Sequence, residues 1–459
     1  FGSSLFRHEL SVGLSAYPTE LRVPMARSGV LISFLPLVVA FDNGAPHSKL
    51  PPLGWSSWVS LGEDWPGPHA KHPAFDFCDE ASVKASIDAF FEVGLYDVGY
   101  RHFHLDDCWA DLERNASGYL QPERDHFPRG LEPIIQYAHK KGLVFGLYTC
   151  AGTHTCVGQR PGSKGHWDQD AAAFAEWGVD WVKMDWCYTD GMKPADTYPL
   201  MATALNKTGR PIHFNMCEWG KDEPWTWGPL IAQSWRATGD HVGTWKSTKD
   251  IIAQRTAIPT NLGGTPFAWN DMDMLETGNY KQAAHANGKE GNMTATEYKT
   301  EFSMWAIFAS PLVVTTPILD CSSGTCAPSI TALQKEILLN TDIIAINQDI
   351  TPAGRLLSPS SLEASGLKVY GRALGDGTVA VALYNPDDEA QDGSVDFTLL
   401  GWHGDTQASV RDLWQHKDLG LFKGRYPADG HLVRVEAHAT TVLRLTPQKL
   451  ETIRAHVAA

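Results

Sequence analysis

The stretch WVKMDWC, residues 181–187, decides the fold. It is an apolar run carrying a lysine and an aspartate two places apart, and strand alternation sends Lys183 and Asp185 to one face. Charges on one face of an otherwise apolar strand form either a structural ion pair or part of a reaction centre. Working outward, similar runs recur at LGWSSW (53–58), YRHFHLDD (100–107), LVFGLYTC (143–150), VDWVKMDW (179–186), IHFNMCEW (212–219), QSWRATGD (233–240), FAWNDMDM (267–274) and SPLVVTT (310–316). Between them, EASVKASIDAFFEVG, GLEPIIQYAHKKG and QDAAAFAEWGVD carry apolar residues at helical spacing and stop at glycine. Eight strand–helix units over about 300 residues predict an α/β fold, a (β/α)8 TIM barrel over residues 51–348. Polar and aromatic residues gather at the C-terminal ends of these strands, the face where such a barrel holds its active site.

After IIAINQD (343–349) the pattern changes. The segments 367–374, 378–385, 394–402, 407–414 and 440–447 alternate or run apolar, with GDG and NPDD turns between them. They predict a C-terminal antiparallel β-sandwich domain over 349–447. Residues 448–459 read as a tail with a short helical stretch. At the other end, the run from Met25 (one arginine, an apolar stretch, then small residues) has the build of a secretory signal peptide over 25–40, cut after Ala40. The alternative is a short hydrophobic strand or helix. The run is too short for a comfortable membrane span, so no membrane partner is expected. Residues 1–24 read as an upstream extension.

With 38 basic against 53 acidic residues and a net charge of −15, no basic surplus exists to neutralise phosphates, which argues against a nucleic-acid partner. The 17 tryptophans often stand beside polar residues, as sugar-stacking platforms do. Eight cysteines fit an oxidising compartment, with Cys321 and Cys326 an easy local pair across CSSGTC. Sequons at Asn115, Asn206 and Asn292 become glycosylation acceptors in a secreted chain. No CxxC or HExxH pattern occurs, so neither a metal nor another cofactor is expected.

Asp185 ends the fourth expected strand and Asp240 the sixth; two carboxylates converging at a barrel mouth suit nucleophile and acid/base roles in glycoside cleavage. Lys183 is expected to hold Asp185 ionised, and Arg236 stands four residues before Asp240. LDDCW sets Asp106 beside Asp107, suited to vicinal sugar hydroxyls. CEWG adds Glu218 and Trp219, WNDMDM adds Asp271, Asp273 and Met274, and Trp55 and Tyr148 offer aromatic walls.

The blocks PPLGWSSW, HLDDCW, FPRGLEPIIQYAHKKGLVFGLYT, AEWGVDWVKMDWC, CEWG, SWRATGDH, WNDMDML and DIIAINQD, taken in order, make the chain resemble the α-galactosidase (melibiase) family, glycoside hydrolase family 27, across residues 51–447. The resemblance implies a retaining glycosidase in which Asp185 matches the nucleophile and Asp240 the acid/base. It implies galactose contacts for Trp55, Asp106, Asp107, Tyr148, Lys183, Arg236, Asp273 and Met274, with Cys217, Glu218 and Trp219 of the CEWG block in the same substrate-binding set. It also implies the disulfides Cys78–Cys108 and Cys156–Cys187, leaving Cys150 and Cys217 over. The chain departs from the family pattern at Trp186, His241 and Met272 and in an insertion over 63–77. Those departures bear on leaving-group preference and pH optimum.

The expected activity is therefore hydrolysis of terminal α-galactosides in the secretory pathway, extracellular or lysosomal/vacuolar, with monomer and homodimer both open. The nearest rivals are an α-N-acetylgalactosaminidase or a β-L-arabinopyranosidase of the same fold. The first needs small residues where bulky Trp219 stands. A catalytically dead sugar-binding protein would lack Asp185 or Asp240, and both are present.

Overall fold

The computed structural model describes residues 40–58, 60, 78–158, 160–279, 291–320, 326–357, 366–428 and 430–448. The expected upstream extension, nearly all of the expected signal peptide, the 63–77 insertion, Cys321 and nearly all of the tail lie outside them. Eight parallel strands form one sheet: β1 (Leu53–Ser56), β2 (His102–Leu105), β3 (Val144–Cys150), β4 (Trp181–Asp185), β5 (His213–Cys217), β6 (Ser234–Arg236), β7 (Trp269–Asp271) and β8 (Leu312–Val314). They pair in chain order, β8 returns to β1, and a parallel bridge between Leu275 and Val314 closes the ring. The helices α1 (Glu80–Glu92), α2 (Glu132–Lys140), α3 (Trp167–Trp177), α4 (Pro194–Lys207), α5 (Trp245–Ala257) and α6 (Ala295–Ile307) follow β1–β4, β6 and β7, and α7 (Ala332–Leu338) and α8 (Thr341–Asn347) follow β8.

Two details correct the sequence reading. After β5 no α-helix forms; two 3-10 turns, Pro224–Thr226 and Gly228–Leu230, replace it. Each carries a proline in its first turn, which lacks a donor and favours a short tight turn over a full helix. The strands expected over 233–240 and 267–274 also stop early, at Arg236 and Asp271. The Arg236 guanidinium takes the carbonyls of Thr238 and Gly239 and curls the chain there, while Asp273 has a left-handed φ of 82°. Asp240 therefore rides in a loop four residues past its strand.

The barrel floor is built of histidine. His102 Nδ1 lies 3.2 Å from His104 Nε2, and His213 sits between the hydroxyls of Ser48 (2.9 Å) and Ser234 (2.7 Å). His47 reaches the Asp180 carbonyl at 3.0 Å. Trp181, the lowest inward residue of β4, stacks on His104 with ring centroids 3.9 Å apart. Gly146 makes room for that stack, since a Cβ there would meet His104 at 2.4 Å. Burial keeps these imidazoles neutral: His104 is pushed down to about 3, and His102 and His213 well below the usual range.

Beyond α8 the chain forms a C-terminal antiparallel β-sandwich. Its main sheet runs in the order Arg355–Leu356, Lys368–Ala373, Val379–Tyr384, Thr440–Pro447, Gln407–Asp412, Lys417–Lys423. Val379, Val381 and Leu383 face the sandwich core with Phe397, Val410 and Leu443. The alternate residues Ala380, Ala382 and Tyr384 pack into the barrel's cluster. Burial on both faces explains why this strand reads as an unbroken apolar run. Buried Arg372 pins the two layers, donating to the carbonyls of Ala306, Ile346, Asn347, Asp349, Thr351 and Pro352. The strand expected over 394–402 is cut to Val395–Asp396, because the Asp396 carboxylate accepts from Thr398 N at 2.8 Å and starts a 3-10 turn. Lys417–Lys423 is a strand beyond the expected set; it lies at the sheet edge and is mostly exposed, so its few apolar residues form no long run.

Candidate active site

The pleat of β4 sends Trp181, Lys183 and Asp185 inward at successive heights. Parallel register aligns Tyr148, Lys183 and Asn215 in one rung and Cys150, Asp185 and Cys217 in the next. Asp185 is thus flanked by a thiol on each neighbouring strand. Both cysteines are free and buried, and burial pushes both thiols up, so they stand as neutral neighbours. Tyr148 Oη donates to Asp185 Oδ2 at 3.1 Å, and the Trp186 backbone N–H donates to Oδ1 at 2.9 Å. Two donors on two oxygens fix the carboxylate plane. Burial raises the Asp185 pKa above the usual carboxylate value; Lys183 opposes this and Asp240 adds to it.

Lys183 makes its ion pair with Asp106, Nζ to Oδ2 2.9 Å. This corrects the expectation that Lys183 holds Asp185 fully ionised: its contact is two strands away, and its influence on Asp185 only tempers the upward shift. Burial works against the ammonium, but the carboxylates of Asp106, Asp185 and Asp273 outweigh it and the lysine stays charged. Asp106 is held by its own backbone N–H on Ser57 Oγ at 2.8 Å. Asp107 Oδ2 accepts from Val157 N at 3.0 Å, while its buried Oδ1 has no hydrogen-bond partner among the described residues. Burial, countered by the Val157 N–H and Arg160, lifts Asp107 to about 7.

Arg236 is the hub of the opposite wall. Its Nη1 lies 2.9 Å from Asp273 Oδ1 and 3.5 Å from Cys217 Sγ, and its Nη2 lies 3.1 Å from Asp240 Oδ1. The Asp240 side chain is 45% exposed, whereas that of Arg236 is 4% exposed. Asp271 accepts the Asp273 N–H at 2.9 Å, which holds the left-handed turn that aims Asp273 at Arg236. Burial would raise Asp273, but Arg236 and the His241 N–H keep it below its ordinary value.

Trp55, expected as an aromatic wall, does not line the pocket: the pleat turns it outward with its register partner Phe103, ring centroids 4.7 Å apart, and its indole N–H donates to the Thr316 carbonyl at 2.8 Å, while Gly54 and Ser56 take the inward positions of β1. Trp58 is the tryptophan near the site, its ring 5.8 Å from Lys183 Nζ. Met274 is half-buried beside Asp273. Trp219 stands half-buried with a left-handed φ of 57° and the Lys221 ammonium 4.7 Å from its ring, while Glu218 lies fully buried behind it, its carboxyl pushed well up by burial. The departures fit behind the site: Trp186 stacks on Tyr198 at 5.3 Å, and His241 lies among Thr248, Met274 and Glu301. Tyr198 is a supporting residue outside the expected set. Its hydroxyl donates to Met184 O and accepts from Cys217 N, tying α4 to β4 and β5; only its apolar helix position marked it.

Cys78 is bonded to Cys108 and Cys156 to Cys187. The expected Cys321–Cys326 pair falls on Cys321, outside the described residues. Cys156, Asp185 and Cys187 bring ligand atoms within 4.8 Å of one another. The two sulfurs are spent in a disulfide, so the group offers no thiolate to a metal. No helix among the described residues is long and apolar enough to cross a membrane. All three sequon asparagines are exposed.

A family model described as Alpha galactosidase A matches residues 50–349, and one described as Alpha galactosidase C-terminal beta sandwich domain matches residues 364–445. The chain is 36% identical over 408 residues to the α-galactosidase of Cyamopsis tetragonoloba, spanning 89% of this chain and 88% of that one. It is 33% identical over 438 residues to α-galactosidase A of Cellvibrio japonicus, spanning 92% and 97%. Among solved structures, α-galactosidase I from Mortierella vinacea superposes with a TM-score of 0.75 at 29% identity, covering 88% of this chain and 98% of that one. The α-galactosidase from Saccharomyces cerevisiae with raffinose gives 0.73 at 25% identity, covering 89% and 100%.

Proposed function

The chain belongs to the α-galactosidase family, glycoside hydrolase family 27, and from that premise we propose that it hydrolyses terminal non-reducing α-D-galactosyl residues by double displacement. One observation carries the reading: a buried carboxyl held by two donors, Asp185, faces an exposed carboxyl, Asp240, at one barrel mouth. Asp185 attacks the anomeric carbon as the Asp240 carboxylic acid gives its proton to the leaving oxygen. The bond to that oxygen breaks and a galactosyl ester forms on Asp185. A water then gives its proton to the Asp240 carboxylate and attacks the same carbon, which releases Asp185 and retains the configuration.

Binding falls to the remaining wall. Asp106 with Lys183 and the Asp107 carboxyl form a donor–acceptor set for neighbouring hydroxyls, with Tyr148 and Trp58, both beside the Lys183 ammonium, as aromatic walls. Arg236, Asp273 and Met274 close the other side, and Cys217, Glu218 and Trp219 shape the 2-position. Raffinose-type galactosyl oligosaccharides are the substrate class this reading favours. The catalytic barrel takes residues 51–348 and the sandwich 349–447, a division supported by the end of α8 at Asn347. Two disulfides and exposed sequon asparagines at 115, 206 and 292 support synthesis in the secretory pathway, with a signal peptide at 25–40.

A panel of p-nitrophenyl α- and β-glycosides tests the activity: turnover confined to the α-galactoside supports it, and none on that substrate sinks it. Asp185→Asn abolishes turnover, because an amide forms no glycosyl ester. Asp240→Asn costs most with poorly activated leaving groups, on the order of 10²–10⁴-fold.

A further inference from the structure

The loop after β4 carries a second aromatic feature that the galactose site does not use. Tyr188 follows Asp185 by three residues, is 51% exposed, and has a left-handed φ of 52°. A tyrosine rarely adopts that conformation, and strain of this kind persists only where the surroundings over-determine it. They do so here. The Tyr188 carbonyl accepts from Thr153 N at 3.2 Å, and the Cys156–Cys187 disulfide ties the residue before it to the loop after β3. A Cβ on Gly152 would meet the Cys187 and Tyr188 carbonyls at 2.0 and 2.3 Å, so only glycine admits this approach of the two backbones. Gly158 likewise leaves room for the Tyr188 hydroxyl, 2.5 Å from where its Cβ would stand. His154 meets the tyrosine ring edge-on, with centroids 5.5 Å apart, and its Nδ1 is oriented by Thr153 Oγ1 at 3.1 Å.

Position supplies the role. His154 belongs to a hairpin bridged to Pro161, and the same hairpin closes on the galactose-binding wall through Val157 N on Asp107 and Cys156 N on Tyr148 Oη. Its inner side touches the candidate pocket and its outer side carries the exposed aromatic pair. On the adjacent loop, Trp219 also has a left-handed φ; it lies two residues past Cys217, the register partner of Asp185. Trp219 is half-buried at the 2-position, so Tyr188 is the more outlying of the two.

We propose that Tyr188, braced by His154, is the platform on which the leaving group stacks, and that it takes a sugar ring joined to the galactosyl unit. An exposed tyrosine face covers the C–H face of a pyranose at low cost in side-chain freedom, since only two χ angles need fixing. The inference rests on the α-galactosidase reading and deepens it by naming the residue that selects oligosaccharides over simple galactosides.

The test compares raffinose, whose leaving group is a disaccharide, with α-galactosyl fluoride, whose leaving group is one atom. The readout is the ratio of kcat/KM on the two substrates for the full chain. Tyr188→Ala lowers that ratio roughly 3- to 10-fold, mainly through KM for raffinose, and Tyr188→Phe, which keeps the ring, preserves it. An unchanged ratio in Tyr188→Ala overturns the platform, and so does an equal fall in Tyr188→Phe, which would assign the contact to the hydroxyl. No turnover of the fluoride by the unaltered chain overturns the activity itself, and the platform with it.

Discussion

Lys183 Nζ stands 2.9 Å from Asp106 Oδ2, and the pair spans the ends of β4 and β2 across the intervening β3. Both side chains are buried, so neither charge is tolerable alone. Lys183→Met leaves the Asp106 carboxylate uncompensated, and breaking such a buried pair costs about 3–5 kcal/mol of stability. It also removes the main influence that lowers the Asp185 pKa. The Asp185 value then rises further, and because attack needs the carboxylate form, the acid limb of kcat/KM moves to higher pH. A pH profile on an activated α-galactoside, with a melting curve, checks both. A destabilised variant with an unmoved acid limb would confine Lys183 to holding Asp106.

On the proposed function Trp219 shapes the 2-position: its half-buried ring, presented by a left-handed backbone with the Lys221 ammonium 4.7 Å away, is the element that would clash with an N-acetyl group, a repulsive contribution to specificity. Trp219→Ala should raise activity on α-N-acetylgalactosaminides while leaving α-glucosides untouched, since orientation of the 4-hydroxyl is read elsewhere and such polar mismatches cost about 10⁴-fold. Equal rates on both galacto-configured substrates in the unaltered enzyme would remove Trp219 as the determinant.

Arg372 joins barrel and sandwich through six backbone carbonyls. Arg372→Met strands these buried acceptors and should lower the unfolding free energy by roughly 3 kcal/mol or more. Arg444→Ala, which loses a half-exposed pairing with Asp376, stays within about 1 kcal/mol. Denaturant titration of the two variants gives the comparison, and similar losses would rule out a special role for Arg372.

The histidine floor makes the fold acid-sensitive. His104, lowered to about 3 by burial, stays neutral in the fold while the unfolded chain takes a proton near 6.5. Stability from this group is fully present above about pH 6.5 and is lost as pH falls toward the folded value, by about 1.4 kcal/mol per unit. Asp107, raised to about 7, works in the opposite sense, its contribution fading as pH rises from about 4 toward that value. The measurement is therefore a difference: His104→Gln should fall less steeply than the parent between pH 6.5 and pH 4.5, about one proton less in slope. Parallel slopes would mean that the floor opens to water before it titrates.

How much of this was legible beforehand differs residue by residue. The eight inner strands were readable because barrel strands buried on both faces are short apolar runs, and Asp106 and Asp185 stand at or just past the ends of theirs. Asp240 and Asp273 were readable as residues but not as positions, because the turns that carry them are set by the Arg236 guanidinium and a left-handed φ, which leave no periodic trace. Tyr198, Cys150 and Arg372 look like ordinary apolar-neighbourhood residues until register and domain packing bring their partners within reach.

The sequence by itself determined the architecture, the family resemblance and the set of carboxylates at one barrel mouth, because alternation and helical spacing are local and survive in one dimension. Tertiary structure alone decided which charge meets which. Lys183 has Asp185 two residues away in the chain yet pairs with Asp106, 77 residues away, since side-chain reach across a closed sheet depends on strand register and tilt. Those are properties of eight strands together, and no single strand encodes them.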